Sequence, residues 1–245
     1  MLNVSRLNKH FDDLWILEDF DLSVPRKNFT VLIGPSGCGK STLFDVLTGV
    51  TPKNGGTISW LGETLEHLGR NSAYMQQKDL LLPWFSLLDN ALLPARIAGE
   101  DMEAAKAKAL NLFKRLGLEG FESYLPQKIS GGMRQRCALV RTLMFEHELV
   151  LLDEPLSALD AITRRSLQSL LLLLQSEFNK SILMITHDIE EALLLADEVL
   201  VLSRSPMKVL EQFALTRPKP RRLDDPQLLE IKAHVLERLQ QELPI

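Results

Sequence analysis

Three short stretches of this chain combine residue types that can do chemistry. Gly34-Pro35-Ser36-Gly37-Cys38-Gly39-Lys40-Ser41 has the spacing G-x-x-x-x-G-K-[ST], with Thr42 following. Glycines let successive backbone N–H groups turn toward an anion at a helix N-terminus, whose partial positive charge favours phosphate. Lys40 is expected to reach the β and γ phosphates of a nucleoside triphosphate, and the Ser41 hydroxyl to ligate Mg²⁺. The loop alone does not separate a kinase from a GTPase or a transport ATPase. A second stretch, Leu149-Val150-Leu151-Leu152-Asp153-Glu154-Pro155, is an apolar run ending in two carboxylates. Neighbouring strand residues point to opposite faces, so the two acids can play different parts. Asp153 suits the Mg²⁺ shell, and Glu154 suits orienting and deprotonating an attacking water. The third stretch, Ile129-Ser130-Gly131-Gly132-Met133-Arg134-Gln135-Arg136, opens a helical pattern and forms another anion-binding N-terminus. One nucleotide has no obvious need for two such sites in one chain.

These residues need a scaffold that presents strand ends. Phe29–Ile33, Glu148–Leu152, Ile182–Thr186 and Glu198–Leu202 are short apolar runs rich in β-branched residues, each followed by a helical pattern. That alternation predicts a parallel sheet with helices on both faces. Residues 56–75 read as short strands with turns at Asn54-Gly55-Gly56 and Leu61-Gly62. From Ser86 to about Arg115 the apolar spacing is helical and broken near Pro94 and Gly99, which suggests an inserted helical lobe over about 80–146. After Ser203 the strand pattern fades, prolines punctuate a loop, and Gln227–Gln241 reads as a terminal helix. The expected layout is one nucleotide-binding domain over 1–210, followed by a C-terminal loop and helix over 211–245 without a regulatory domain.

Composition narrows the function. With 45% apolar and 24% charged residues, the 245-residue chain is expected to fold around a core. A net charge of −4 argues against nucleic acid as the partner, since binding its phosphates takes a basic face. The basic cluster Arg217, Lys219, Arg221 and Arg222, interleaved with prolines, reads as a solvated surface segment. Cys38 and Cys137 lack metal-site spacing and fit a reducing cytosol. No apolar run approaches the roughly 18 residues that span a bilayer. Leu170–Leu174 reads instead as one buried side of a helix.

The order of the three motifs resembles the ATP-binding-cassette family, with Ser130, Gly131 and Gly132 similar to its signature loop. The resemblance covers about Leu2 to Ser203. It implies a P-loop NTPase α/β fold: a RecA-like parallel sheet core, an antiparallel β portion and an inserted helical lobe. It also implies a head-to-tail pair of subunits, in which the signature loop of one grips the γ phosphate held by the other's Gly34–Thr42 loop. Phe11 stands where the family places an aromatic that stacks on adenine. Gln77, beside Gln76 and ahead of Leu81-Leu82-Pro83-Trp84, resembles the glutamine that touches Mg²⁺ and the attacking water while linking to the lobe. Ser157-Ala158-Leu159-Asp160 is similar to the loop that crosses the dimer interface, and His187 to the switch histidine that contacts the γ phosphate. Ile129 and Met133 replace the family's commoner Leu and Gln, and Met133 removes a polar contact expected at the partner's nucleotide. The implied cofactors are ATP and Mg²⁺, and the implied catalytic residues Lys40, Glu154 and His187.

The run Leu81-Leu82-Pro83-Trp84 with Leu88-Asp89-Asn90 resembles the importers of nitrate, sulfonates, taurine and pyrimidine precursors. That similarity implies a permease docked on the lobe, an extracytoplasmic solute-binding protein acting through it, and a place on the cytoplasmic face of the membrane. A non-transport cassette ATPase acting on nucleic acid or ribosomes is the alternative; such proteins usually carry long coiled-coil insertions or two fused cassettes. A docking role for Leu81–Trp84 requires Trp84 to be at least partly exposed, whereas a core role requires it to be buried.

Overall fold

In the computed structural model, which describes residues 1–157 and 159–242, the chain begins with the long strands β1 (Leu2–Phe11) and β2 (Leu14–Val24). Next, β3 (Phe29–Ile33) runs into α1 (Lys40–Thr48), followed by β4 (Gly55–Trp60), β5 (Glu63–Leu65) and β6 (Ser72–Met75). Three helices come together: α2 (Leu87–Ala98), α3 (Met102–Arg115) and α4 (Gly131–Met144). The rest alternates β7 (Leu149–Asp153), α5 (Ala161–Ser176), β8 (Ser181–Thr186), α6 (Ile189–Leu195) and β9 (Glu198–Leu202), and closes with β10 (Val209–Ala214) and α7 (Pro226–Gln241).

Two sheets result. One is antiparallel in the order β2-β1-β4-β5; the other runs β10-β9-β3-β8-β7-β6 and is parallel except for β10. The period of two in the central strands explains the layering. Val31 and Ile33, Val150 and Leu152, Ile182 and Met184, Val199 and Val201 face the core shared with the helical lobe. Their neighbours Leu32, Leu149 and Leu151, Leu183 and Ile185, Leu200 and Leu202 face a second core beneath α1 and the antiparallel sheet. Strands buried on both faces must be apolar throughout, which is why these runs were legible as strands.

Three expectations need correction. Pro94 does not interrupt its helix: it lies within α2, which ends at Gly99, a left-handed residue with φ 70°. The strand pattern does not fade after Ser203, because β10 pairs antiparallel with β9. Its residues alternate between exposed and half-buried, so no continuous apolar run marks it. The basic segment is not uniformly solvated either. Lys219 Nζ is 2.6 Å from Asp197 Oδ1, donates to Gln175 Oε1 at 2.8 Å and lies over the Phe29 ring. Arg221 donates to the carbonyls of Leu193 (3.0 Å), Ala196, Leu215 (2.9 Å) and Arg217 (2.9 Å). It thereby satisfies backbone groups at the end of α6 that would otherwise lack a donor. Arg221→Ala is expected to lower unfolding stability by about 2 kcal/mol, the scale of leaving carbonyls unpaired, read from a urea midpoint shift. Arg222→Ala should change it by less than about 0.5 kcal/mol, because Arg222 and its partner Asp224 are both exposed.

Among the described residues no helix is long and apolar enough to cross a membrane.

Candidate active site

The sheet order brings the chemistry together. Strands β3, β8, β7 and β6 are neighbours and, where they adjoin, parallel, so the segments leaving their C-terminal ends converge. These are the Gly34–Thr42 loop after β3, Thr186-His187 at the end of β8, Asp153-Glu154 at the end of β7, and Gln76-Gln77 after β6. Ile16, Ser36, Gly37, Gly39, Lys40, Ser41, Thr42, Gln77 and Glu154 line a cleft of about 290 Å³.

The loop needs glycine at two points. Gly37 and Gly39 have φ of 79° and 107°, and a Cβ on Gly39 would lie 2.4 Å from Ile16 Cγ2. Ile16 thus closes one wall of the cleft, a role invisible in an ordinary alternating strand. Lys40 is buried, and its ammonium donates to the carbonyls of Gly34 and Pro35, both at 2.8 Å, with Cys38 Sγ at 3.7 Å. The helix that follows is distinctive. Helices α2 to α7 are each capped by their own Ser or Asp side chain, whereas α1 has Gly39 at its N-cap and no side-chain cap. Its first N–H groups are therefore left to an anion in the cleft.

Asp153 and Glu154 differ in environment, as their sequence position suggested, but for a further reason. Asp153 ends β7 and is buried; burial pushes its carboxyl up, and the Ser41 hydroxyl beside it pulls it back. Among the described residues its Oδ1 has no hydrogen-bond partner. Glu154 lies beyond the strand with φ 47°, a left-handed conformation that costs a non-glycine residue free energy and marks a constrained position. That turn carries its carboxylate between two of the expected partners. Gln77 Nε2 donates to Glu154 Oε2 at 3.1 Å, and His187 Nδ1 is 3.2 Å from Oε1.

Other expected residues lie apart. Phe11 is 47% exposed at the end of β1, with the Lys9 ammonium 4.4 Å from its ring centroid. Ser130 caps α4 by accepting from Met133 N–H at 3.2 Å; neither it nor Gly131 or Gly132 lines the cleft. Met133 packs against the lobe's core, so its apolar side chain has a structural use where a polar contact was expected. Ala158, in the expected interface loop, lies outside the described residues. Trp84 is 69% exposed whereas Leu81 is buried, which meets the exposure that a docking role for the segment requires. The turn before α2 is held by Asn90, which is fully buried, donates to the carbonyls of Leu82, Phe85 and Ser86, and accepts from Leu82 N–H.

Helix α4 is tied to the segment after Gln77. Arg134 Nε donates to Asp79 Oδ2 at 3.0 Å, and Arg141 donates to the carbonyls of Leu80 and Asp79 at 2.8 Å. Among the described residues no cluster of three or more His, Cys, Asp or Glu side chains is placed to hold a metal on its own.

Residues 17–157 match the ABC transporter family. The taurine import ATP-binding protein TauB of Escherichia coli O157:H7 is 38% identical over 247 residues, covering 98% of this chain and 97% of that protein. The protein of the same name from Rhizobium johnstonii is 40% identical over 199 residues, covering 81% and 76% respectively. Among solved structures, the dimeric bacterial ABC transporter cassette MJ0796 superposes with a TM-score of 0.82 at 25% identity, over 89% of this chain and all of that one. The dimeric post-hydrolysis state of the same cassette, bound to ADP and Pi, gives 0.81. The chain belongs to the ABC transporter family, and it is an ATPase.

Proposed function

We propose that this chain powers an importer of a small solute of the sulfonate or taurine kind, working as a head-to-tail dimer beneath a membrane permease on the cytoplasmic face. The near full-length relatedness to proteins named for taurine import supports the direction and class of transport. The observation that carries the hydrolytic part is the Glu154 carboxylate, held between Gln77 and His187 at the mouth of the phosphate-binding loop.

ATP enters with its phosphates on the loop N–H groups and the start of α1, and Lys40 moves from the carbonyls of Gly34 and Pro35 to the β and γ phosphates. Phe11 stacks on adenine with its free face, the other lying under Lys9. Glu154 orients the attacking water and takes its proton, and His187 contacts the γ phosphate from the far side of that carboxylate. The unpartnered Oδ1 of Asp153, the Ser41 hydroxyl and the Gln77 amide oxygen form an oxygen-only donor set that fits Mg²⁺. When bound there, Mg²⁺ neutralises charge developing between the β and γ phosphates.

Ser130, Gly131 and Gly132 lie outside their own chain's cleft, as a loop serving the partner's nucleotide must. The partner's γ phosphate is the bridge between subunits, and its cleavage releases them. Arg134 and Arg141 tie the signature helix to residues 79–80, so closure of the dimer is felt at Leu81–Trp84, the proposed permease contact. A solute-binding protein outside the membrane completes the importer without touching this chain.

Reconstitution with its permease and binding protein tests the whole reading: taurine or a small sulfonate should enter vesicles only with internal MgATP. ATP hydrolysis stimulated by DNA or RNA, with no uptake, would favour the non-transport alternative. Trp84→Ala is expected to leave hydrolysis by the isolated subunit within about three-fold of normal and to reduce co-purification with the permease by at least about ten-fold, the weight of an aromatic anchor. Loss of both, or of neither, would remove Trp84 from the docking face.

A further inference from the structure

Glu191 is a carboxylate that the fold buries to 5% exposure and that the hydrolytic scheme above leaves unused. It lies in the first turn of α6, whose N-terminus Asp188 caps by accepting from Glu190 and Glu191 N–H. Its Oε2 accepts from the Thr186 hydroxyl at 2.7 Å. Its Oε1 lies 3.6 Å from Arg164 Nε on α5, and Arg164 also donates from Nη2 to the Leu159 carbonyl at 3.1 Å. While donating to Glu191, the Thr186 hydroxyl accepts from Asp188 N–H at 3.1 Å, so its orientation is fixed from both sides. Thr186 precedes His187, whose Nδ1 faces Glu154.

These contacts form one continuous path from Leu159, just before Asp160, through Arg164, Glu191 and Thr186 to His187 and Glu154. A buried carboxylate is an expensive filler. Desolvation pushes Glu191 up, against the pull of the Thr186 hydroxyl and the Arg164 charge, and an apolar side chain would pack here at lower cost. The ion pair is also only partly made. Among the described residues Arg164 Nε is buried without a hydrogen bond, and closing the gap to Glu191 by about half an ångström would turn the contact into a charge-assisted bond.

We propose that Glu191 is a positioning residue that couples the loop ending at Asp160 to His187, so that a second copy engaging this loop sets the histidine against Glu154 and the γ phosphate. The proposal rests on the reading of His187 as a γ-phosphate contact. A shift at Leu159 pulls on Arg164, which tightens on Glu191, and Glu191 holds the residue that aims His187. The coupling passes through packed, paired side chains that have a tighter alternative arrangement.

The test is steady-state hydrolysis of MgATP by full-length variants, with ATP affinity and melting temperature measured alongside. Glu191→Gln keeps the shape and an acceptor for Thr186 but loses the charge facing Arg164. It should lower kcat about ten-fold while KM for ATP stays within about two-fold. Thr186→Val should lower kcat similarly, and Thr186→Ser should restore it. Arg164→Gln combined with Glu191→Gln should be no worse than either alone, because both cut one path. A normal kcat in Glu191→Gln, additive losses in the double variant, or losses in kcat that merely follow melting temperature would overturn the proposal. His187→Ala separates the levels: if it hydrolyses ATP normally, the reading of His187 fails and the coupling fails with it. If it is inactive while Glu191→Gln is normal, only the coupling fails. Should Glu191→Gln not fold, the Thr186→Val and Thr186→Ser pair decides by the same split.

Discussion

Glu154→Gln should bind ATP as tightly as the unaltered chain and hydrolyse it at least ~10²-fold more slowly, the usual scale for losing a general base. The substitution is nearly isosteric, so the left-handed turn at residue 154 and the backbone bond from its N–H to the Ile185 carbonyl at 2.9 Å should survive. The neutral amide cannot take the water's proton, although it can still meet Gln77. If the γ phosphate bridges two subunits as proposed and is no longer removed, this variant should accumulate as a dimer in MgATP. Size-exclusion chromatography reads that directly. A monomer under saturating MgATP would contradict the head-to-tail interface, and hydrolysis within about three-fold of normal would remove Glu154 from the role of base.

The parts legible in the sequence were those in which a local rule and the tertiary structure agree. The central strands were visible because burial on both faces demands unbroken apolar runs, and the phosphate loop because its glycines answer to backbone geometry. Glu154 was placed by its position at the end of an apolar strand, Gln77 and His187 by resemblance, and the order of β6, β7 and β8 in the sheet explains why they meet: each leaves the same end of adjacent parallel strands. What stayed hidden depends on partners far along the chain. The edge strand β10 is half exposed and has no apolar run to announce it. Lys219 and Arg221 read as a solvated basic patch because nothing local reveals Asp197 or the carbonyls at the end of α6. Pro94 carries a breaker's signature, yet the surrounding helix continues through it. Glu191 offered no signal, since an acidic residue in the first turn of a helix is ordinary and its burial is set by Arg164 and Thr186.

Lys40→Ala should separate cleanly from Glu154→Gln by failing at the earlier step. In the proposed mechanism Lys40 supplies charge to the phosphates rather than to the water, and a charge-assisted contact of this kind is worth about 1.5–3 kcal/mol, so ATP affinity should fall at least about ten-fold. The structure adds a second consequence. The ammonium also holds the carbonyls of Gly34 and Pro35, so its removal takes a donor away from the loop even without nucleotide. Lys40→Arg retains the charge but places a planar fork where a compact ammonium fits between two carbonyls, and it should recover little of the affinity. Combining Lys40→Ala with Glu154→Gln gives the sharpest outcome. If ATP held by Lys40 is what joins the subunits, the double variant should stay monomeric at MgATP concentrations that fully dimerise Glu154→Gln alone. A dimer of undiminished stability in the double variant would show that the subunits associate without the γ phosphate as their bridge.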